Sequence, residues 1–241
     1  MGPFTLDPDI TFLNHGSFGA CPRPVQDAQS ALRSRLEAEP VRFFVREWEG
    51  LWDAARARLA AFLGAQPEDL VFVTNATVGV NTVLKSLTLS AGDEVLATNH
   101  GYNACNNAVR RVCERSGARA VFAPVPFPLE SAEQIVSAVL AAVTPRTRVA
   151  VVDHVTSPTG LVFPIEALVK ALAERGVPML VDGAHAPGMV PLDLGRLGAG
   201  WYTGNLHKWV CAPKGAGFLW ARADLQPQLQ PLVTSHGANS P

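Results

Sequence analysis

Short apolar segments alternate with amphipathic helical patterns along most of the chain, and this alternation restricts the fold more than any other feature. The predicted strands cover residues 70–74, 94–98, 119–123, 148–155, 177–182, 201–204 and 217–221. The predicted helices cover residues 25–39, 47–63, 80–87, 103–115, 131–143 and 165–175. Continuous apolar strands separated by helices predict an α/β fold with a mostly parallel, mixed sheet covered by helices on both faces.

The charge balance and cysteine content exclude several classes of protein. The chain has 20 basic and 21 acidic residues, and this near-neutral balance predicts neither a nucleic acid nor an anionic membrane as a partner. No apolar run approaches the ~20 residues of a membrane helix, and the N-terminus lacks the pattern of a signal peptide, so a cytoplasmic location is expected. The spacing of the four cysteines predicts neither a disulfide framework nor a metal site.

Polar motifs follow several predicted strands, where parallel sheets bind their ligands. The first such motif is NATVG, at 75–79. Asn75 or Thr77 could cap the following helix and leave its backbone N–H groups free to bind a phosphate. A helix cap without any ligand is the alternative interpretation of this motif.

The motif VDGAHA at 181–186 places an acidic residue at the end of an apolar strand. An ionised Asp182 is costly there unless a cation pairs with it, and a protonated pyridine nitrogen is such a cation. A buried aspartate that caps a neighbouring loop is the alternative. His185 could donate to a phenolic oxygen of a ligand, or it could be structural.

Lys208 lies in an apolar and aromatic stretch between the last two predicted strands. These surroundings should lower the pKa of its amine, as a lysine that forms a Schiff base requires. Asn205 and His207 could hold a phosphate beside it. A surface lysine in a loop is the alternative interpretation.

Further ligand-binding side chains are predicted at other strand ends. Tyr102 could stack on a planar ligand or simply pack, and Thr156 and Ser157 offer hydroxyl groups at the same rim. One ligand would use all of these features together: a planar, anionic, phosphorylated pyridine aldehyde. Pyridoxal 5′-phosphate (PLP) is therefore the predicted cofactor.

The motifs NAT (75–77), VDGAH (181–185) and NLHKW (205–209) resemble those of the class V aminotransferase-fold enzymes. The opening FLNHGSFGACP and the motifs TSPTG and GNLHKW are most similar to the isopenicillin N epimerase-like branch. The resemblance implies the large domain of a PLP-dependent transferase of the aspartate aminotransferase-like type, known as fold type I.

The resemblance also implies roles for individual residues. Lys208 would be the Schiff-base lysine and would move protons at the substrate α-carbon, Asp182 would pair with the pyridinium nitrogen, and His185 would contact the phenolic oxygen. The other implied cofactor-binding residues are Asn75, Ala76, Thr77, Tyr102, Thr156, Ser157, Asn205 and His207. The implied substrate-binding residues are Asn14, His15 and Gly16.

The predicted domain organisation has three parts. Residues 1–24 form an N-terminal segment near the active site, residues 25–222 form the PLP-binding domain, and residues 223–241 begin a connection. The resemblance implies a smaller C-terminal domain, which is expected to be missing here. It also implies a homodimer whose active sites lie at the subunit interface.

The resulting functional prediction is a PLP-dependent enzyme that acts at the α-carbon of an amino acid, with epimerisation preferred. A C–S lyase or cysteine desulfurase-like enzyme is the first alternative. A truncated, inactive relative that binds the cofactor or is purely structural is the second. A dinucleotide-binding protein is disfavoured, because no G-x-G-x-x-G motif follows the first strand.

Overall fold

The computed structural model describes residues 2–239, and within this range the strands form one seven-stranded sheet. The strands are β1 (Leu70–Val73), β2 (Glu94–Thr98), β3 (Arg119–Ala123), β4 (Thr147–Asp153), β5 (Met179–Asp182), β6 (Trp201–Asn205) and β7 (Gly217–Ala221). Their order is β1-β7-β6-β5-β4-β2-β3. Strand β7 is antiparallel to both of its neighbours, whereas the pairs from β6 to β3 are parallel. The predicted mostly parallel, mixed sheet is confirmed.

The helices largely follow the predicted pattern. They are α1 (His15–Phe18), α2 (Arg23–Ala38), α3 (Pro40–Arg42), α4 (Trp48–Leu63), α5 (Ala76–Ser86), α6 (Asn103–Ser116), α7 (Ala132–Ala141), α8 (Ile165–Ala173) and α9 (Leu194–Leu197). A π-helical stretch, Phe43–Glu47, joins α3 to α4, and short 3₁₀ segments cover Pro67–Asp69, Ala223–Gln228 and His236–Asn239.

Buried side chains pack on both faces of the sheet. On one face, α4, α7 and α8 contribute residues such as Leu63, Ile135 and Leu168 to a core that includes alternate residues of β4. On the other face, α5 and α6 contribute residues such as Val83 and Val109 to a second core. Because β4 and β5 are covered on both faces, their sequences are apolar at successive positions rather than at alternate ones.

Helix α5 begins four residues earlier than the sequence pattern indicates. Asn75 caps the helix, and its side chain accepts a hydrogen bond from the Val78 N–H at 2.9 Å, so residues 76–79 are helical rather than a turn. Gly79 allows α5 to approach β6 closely, since a side-chain carbon at this position would lie 2.1 Å from Thr203 Oγ1. This approach places the start of α5 against the end of β6.

Candidate active site

The carboxyl ends of β4 and β5 place two acidic side chains next to each other. Asp153 and Asp182 are paired in register on adjacent parallel strands, and their exposed fractions are only 4% and 2%. Burial and mutual repulsion hold the pKa of Asp153 well above its usual value, and burial also raises the pKa of Asp182. A positive charge on the nearby Lys208 would oppose both rises. This edge of the sheet therefore has too little positive charge for its two carboxyl groups.

Among residues 2–239, two groups donate hydrogen bonds to the Asp182 carboxylate. The thiol of the buried Cys105 donates to Oδ2 at 2.9 Å, and the Ala184 N–H donates to Oδ1 at 3.1 Å. Neither donor is charged, so neither balances the charge of an ionised carboxylate. A cationic group bound at this end of the sheet would supply the missing charge, and the protonated nitrogen of PLP is such a group.

Lys208 lies in the loop after β6, close to His185 and Tyr102. Its Nζ is 2.9 Å from His185 Nε2 and 6.0 Å from the centre of the Tyr102 ring. Burial lowers the pKa of the Lys208 amine, and the Asp182 and Asp153 carboxylates partly oppose this effect. The lowered pKa agrees with the expectation from sequence and favours a nucleophilic, uncharged amine.

His185 connects Lys208 to the next residue in the chain. The indole N–H of Trp209 donates to His185 Nδ1 at 3.3 Å, while Nε2 faces Lys208. Burial, followed by the charge of Lys208, lowers the pKa of His185 to about 4. The imidazole is therefore neutral near pH 7, with one nitrogen protonated.

The start of α5 lies at the same end of the sheet. Asn205, the last residue of β6, accepts a hydrogen bond from the Ala76 N–H at 2.8 Å, and Asn75 occupies the Val78 N–H. Within the described residues, no acceptor is recorded for the Thr77 N–H that lies between them. A helix N-terminus with a free N–H suits an anion such as a phosphate.

The remaining predicted cofactor-binding residues differ in how many hydrogen bonds they make within the protein. His207 Nδ1 is 3.0 Å from the Ala216 carbonyl oxygen, which fixes its ring beside the start of β7. The Thr156 hydroxyl accepts from the Leu161 N–H at 2.9 Å and lies 2.8 Å from Thr159 Oγ1, so it organises its own loop. Ser157 is exposed.

The N-terminal segment packs directly against the loop that joins β6 to β7 and contains Lys208, which is called the lysine loop below. Gly16 is buried, and a side-chain carbon there would lie 2.9 Å from the Trp209 ring and 3.1 Å from the His185 ring. A side-chain carbon on Gly19 would lie 2.4 and 2.5 Å from the carbonyl oxygens of His207 and Lys208. Glycine is thus required at both positions for this contact.

The other two predicted substrate residues lie beside Gly16. Asn14 is exposed and caps α1 through the Gly16 N–H at 2.9 Å. His15 packs among aromatic rings, with its centre 6.2 Å from that of Trp209. The predicted substrate segment therefore lies next to His185 and Lys208.

Sequence reasoning did not single out Asp153, Cys105 or Trp209. Asp153 sits in an uninterrupted apolar strand, and only the strand order shows that it neighbours Asp182. The cysteine spacing predicts no site that involves Cys105, and its position at the second residue after the α6 start gives no sign of its acceptor. Trp209 directly follows Lys208, so its place in the NLHKW motif was the available signal.

The described part of the chain contains neither a cluster of metal-ligating side chains nor a membrane-spanning helix. Within 2–239, no group of three or more histidine, cysteine, aspartate or glutamate side chains is arranged to hold a metal ion. No helix in this part of the chain is long and apolar enough to cross a membrane.

The fold and the site together define the large domain of a fold type I PLP-dependent enzyme. The sequence profile of the class V aminotransferases matches residues 22–239, so the chain belongs to the class V aminotransferase family. The family, fold and cofactor predicted from sequence are confirmed.

Individual relatives agree with this assignment. Isopenicillin N epimerase from Amycolatopsis lactamdurans is 43% identical over 237 residues, which cover 97% of this chain and 59% of the relative. L-cysteine desulfhydrase from Arabidopsis thaliana is 32% identical and covers 94% of this chain and 54% of the relative. The chain thus spans little more than half the length of these curated relatives.

A solved structure is also similar. A lysine-to-alanine mutant of C-DES, with glycine covalently linked to its PLP cofactor, superimposes with a TM-score of 0.85 at 27% identity. The match covers 95% of this chain and 60% of that protein.

Proposed function

We propose that this chain is the PLP-binding part of an enzyme that acts at the α-carbon of an amino acid, with epimerisation as the preferred reaction. The observation that carries the proposal is the position of the Lys208 amine, 2.9 Å from His185 and beside the charge-deficient Asp153–Asp182 pair. The 43% identity to an isopenicillin N epimerase supports epimerisation in particular.

Each residue of the predicted catalytic set has a distinct task in this proposal. The PLP ring, when bound, supplies the electron-withdrawing system that accepts charge from the α-carbon. Asp182 pairs with the ring nitrogen and keeps it protonated, since a buried carboxylate stabilises a neighbouring cation. Lys208 binds the cofactor and moves a proton at the α-carbon, and its lowered pKa suits both tasks. His185 holds the phenolic oxygen.

The start of α5 is proposed as the phosphate site. Thr77 contributes its free backbone N–H group and its hydroxyl. Ala76, whose N–H is bonded to Asn205 Oδ1, orders the helix end together with Asn205, and His207 flanks them. Asn75 orders this helix end rather than contacting the ligand, because its side chain is already bonded to Val78.

Tyr102 is proposed to stack on the cofactor ring. This residue is 44% exposed and its ring faces Lys208, so it is free to cover a planar ligand. Thr156 and Ser157 shape the rim near the phenolic oxygen. The segment that contains Asn14, His15 and Gly16 is proposed to meet the substrate.

A C–S lyase that acts on a sulfur-containing amino acid is the second candidate function. The 32% identity to an L-cysteine desulfhydrase favours it. The two reactions differ in whether a β-substituent leaves after the α-proton is removed, so release of sulfide from cysteine would distinguish them. An inactive relative is the third candidate, and the intact set of Lys208, Asp182 and His185 argues against it.

We further propose a cytoplasmic homodimer. All four cysteines are free thiols in the structure, as expected for a reducing compartment. Leu13 and Phe18, which flank the substrate segment, are 80% and 82% exposed and would suit a subunit contact near the site. Sedimentation velocity of the purified chain tests the dimer.

The experiment that tests the cofactor role is visible absorption after addition of PLP and removal of the excess. The wild-type chain should keep a yellow band that disappears on borohydride reduction, whereas Lys208→Ala should lose the band on dialysis. Lys214→Ala is the matched control, because Lys214 is exposed and lies outside this site. No retained band in folded wild-type protein would contradict the proposal.

A further inference from the structure

One imidazole bridges the indole of Trp209 and the amine of Lys208. The Trp209 Nε1 atom lies 3.3 Å from His185 Nδ1, and the Lys208 Nζ atom lies 2.9 Å from His185 Nε2. The two neighbouring residues of the chain therefore contact opposite nitrogens of the same ring.

The chemistry of these groups restricts where the protons lie. An indole N–H can only donate, so Nδ1 of His185 must accept. A neutral imidazole carries one N–H, which is then on Nε2 and points at the lysine. The Lys208 amine can accept this hydrogen bond only through its lone pair, and it has a lone pair only when it is uncharged.

Two glycines pack closely against Trp209. Gly16 lies against both its ring and the ring of His185, where even one added carbon would be too close. The backbone of Trp209 lies 2.9 Å from the place where a side chain of Gly188 would begin. Trp209 is therefore closely approached at both its ring and its backbone.

We propose that Trp209 is a positioning residue that fixes His185 as the Nε2–H tautomer and thereby holds Lys208 as an uncharged amine. The assignment rests on the proposed function in that it takes Lys208 to be the lysine that reacts with the PLP aldehyde. An uncharged amine is the form that attacks a carbonyl carbon, so this arrangement prepares the lysine before the cofactor arrives.

The charges around the pair fit this assignment. Burial lowers the pKa of both His185 and Lys208, which favours their neutral forms. The groups that face Lys208 and favour its charged form are the Asp182 and Asp153 carboxyls and the Cys105 thiol. Burial outweighs the effect of these acidic groups, and a donor directed at the amine from His185 favours the uncharged form in the same direction as burial.

The tautomer can be read directly in the cofactor-free full chain by ¹⁵N NMR of histidine-labelled protein, with the His185 signals assigned from their loss in His185→Gln. The wild-type chain should show protonated Nε2 and unprotonated Nδ1. Trp209→Phe, which keeps an aromatic ring but removes the donor, should give a mixture of the two tautomers.

Trp220→Phe is the matched control. The Trp220 indole N–H is buried and, among the described residues, has no hydrogen-bond partner, so its loss should leave the His185 tautomer unchanged. Wild-type protein with Nδ1 protonated would overturn the assignment, and this result needs no variant to fold. An unchanged tautomer in folded Trp209→Phe would also overturn it.

A second readout is the rate at which Lys208 captures PLP as a function of pH. Trp209→Phe should react roughly two- to tenfold more slowly near pH 7, the size expected for one lost hydrogen bond, and its pH midpoint should move upward. An unchanged pH profile would count against the role of Trp209. If the tautomer is as expected but no PLP attaches to Lys208, the proposed function fails while the Trp209–His185 arrangement is supported.

Discussion

Buried acidic residues lie at both ends of the parallel strands, but their pKa values are shifted in opposite directions. At the amino end of β2, Glu94 is fully buried and contacts Arg119, while Arg146 lies 3.6 Å away and the Thr144 hydroxyl donates at 2.7 Å. The adjacent Asp93 accepts from Arg148 at 2.6 Å. Hydrogen bonds from Arg119 and Thr144 hold the pKa of Glu94 below its usual value. Hydrogen bonds from the Ser90 backbone and the Arg148 side chain do the same for Asp93.

At the carboxyl ends of β4 and β5, Asp153 and Asp182 are equally buried but have raised pKa values. Within residues 2–239, no ion pair within 4.0 Å involves either carboxylate. The acidic residues at the amino end are therefore paired with basic partners, whereas those at the carboxyl end have no such partner within the described residues. Strongly raised carboxyl pKa values at one end of a sheet are typical of a functional site.

Asp182→Asn should have the largest effect on function. The loss of the carboxylate removes the partner of the ring nitrogen, and α-proton exchange of bound amino acids should slow by roughly a hundredfold or more. The rate can be followed by ¹H NMR in D₂O with PLP present. The same variant should unfold at an equal or higher urea concentration, because a poorly paired buried charge is gone. A normal exchange rate would show that the two ends do not differ in the way proposed.

Glu94→Ala should lower the stability of the fold but leave cofactor binding unchanged. It leaves four partners without their acceptor: Arg119, Arg146 and the hydroxyls of Thr144 and Thr147. Unfolding should become easier by about 2 kcal/mol, a value reduced because the arginines are largely exposed. Urea denaturation measures this change. Retention of the PLP band should be unaffected in the folded protein, and a lost band would contradict the separation of roles.

Asp153→Asn should reveal a pH dependence of the opposite sign from that of Glu94→Gln. A raised pKa in the folded state means that the wild-type carboxyl lowers stability increasingly as the pH rises above its unfolded value near 4. The gain in stability from Asp153→Asn should therefore grow with pH in the cofactor-free chain. For Glu94, whose pKa is lowered, the stabilisation is present above its unfolded value and is lost as the pH falls through the folded value.

Thermal unfolding from about pH 2 to 8, which covers the range below the unfolded pKa of Glu94, compares these two variants with the wild type. The exposed Asp9 lies outside both clusters of acidic residues, so Asp9→Asn serves as the reference for the loss of a surface carboxylate. Parallel pH profiles for Asp153→Asn and the wild type would show that Asp153 titrates normally.

Cys105→Ala should have the smallest effect. The thiol is a weak donor, so its loss from Asp182 should weaken PLP affinity only about two- to fivefold. Fluorescence titration with PLP measures the change. Cys113→Ala is the matched control, because Cys113 is equally buried on the same helix but does not contact Asp182. Equal effects of the two variants would mean that packing, and not the hydrogen bond, matters.

Much of the fold could be predicted from local sequence. Strands β2 and β3 have the predicted bounds because their apolar runs are short, with Asn99 after the first and Pro124 after the second. The start of α5 was predicted too late, since the Asn75 cap extends the helix across residues that resemble a turn. The antiparallel direction of β7 depends on its neighbours in space, and no local pattern specifies them.

Individual residues of the candidate site could be predicted from the sequence, but the contacts between them could not. Asp182, His185 and Lys208 follow strands and carry the required chemistry, so the sequence reveals them. The Asp153–Asp182 pair depends on which strands are adjacent, and the Trp209 contact depends on a side-chain orientation. Both are properties of tertiary structure.

The packing of Gly19 on the lysine loop has a consequence for how the chain folds. Residue Gly19 packs against the carbonyl groups of His207 and Lys208, and β1 pairs with β7. Contacts between such distant parts of a chain form slowly, because long loops must close first. During synthesis, the segment around Gly19 can therefore make this contact only after the loop that carries Lys208 has left the ribosome, and Lys208 is enclosed late in folding.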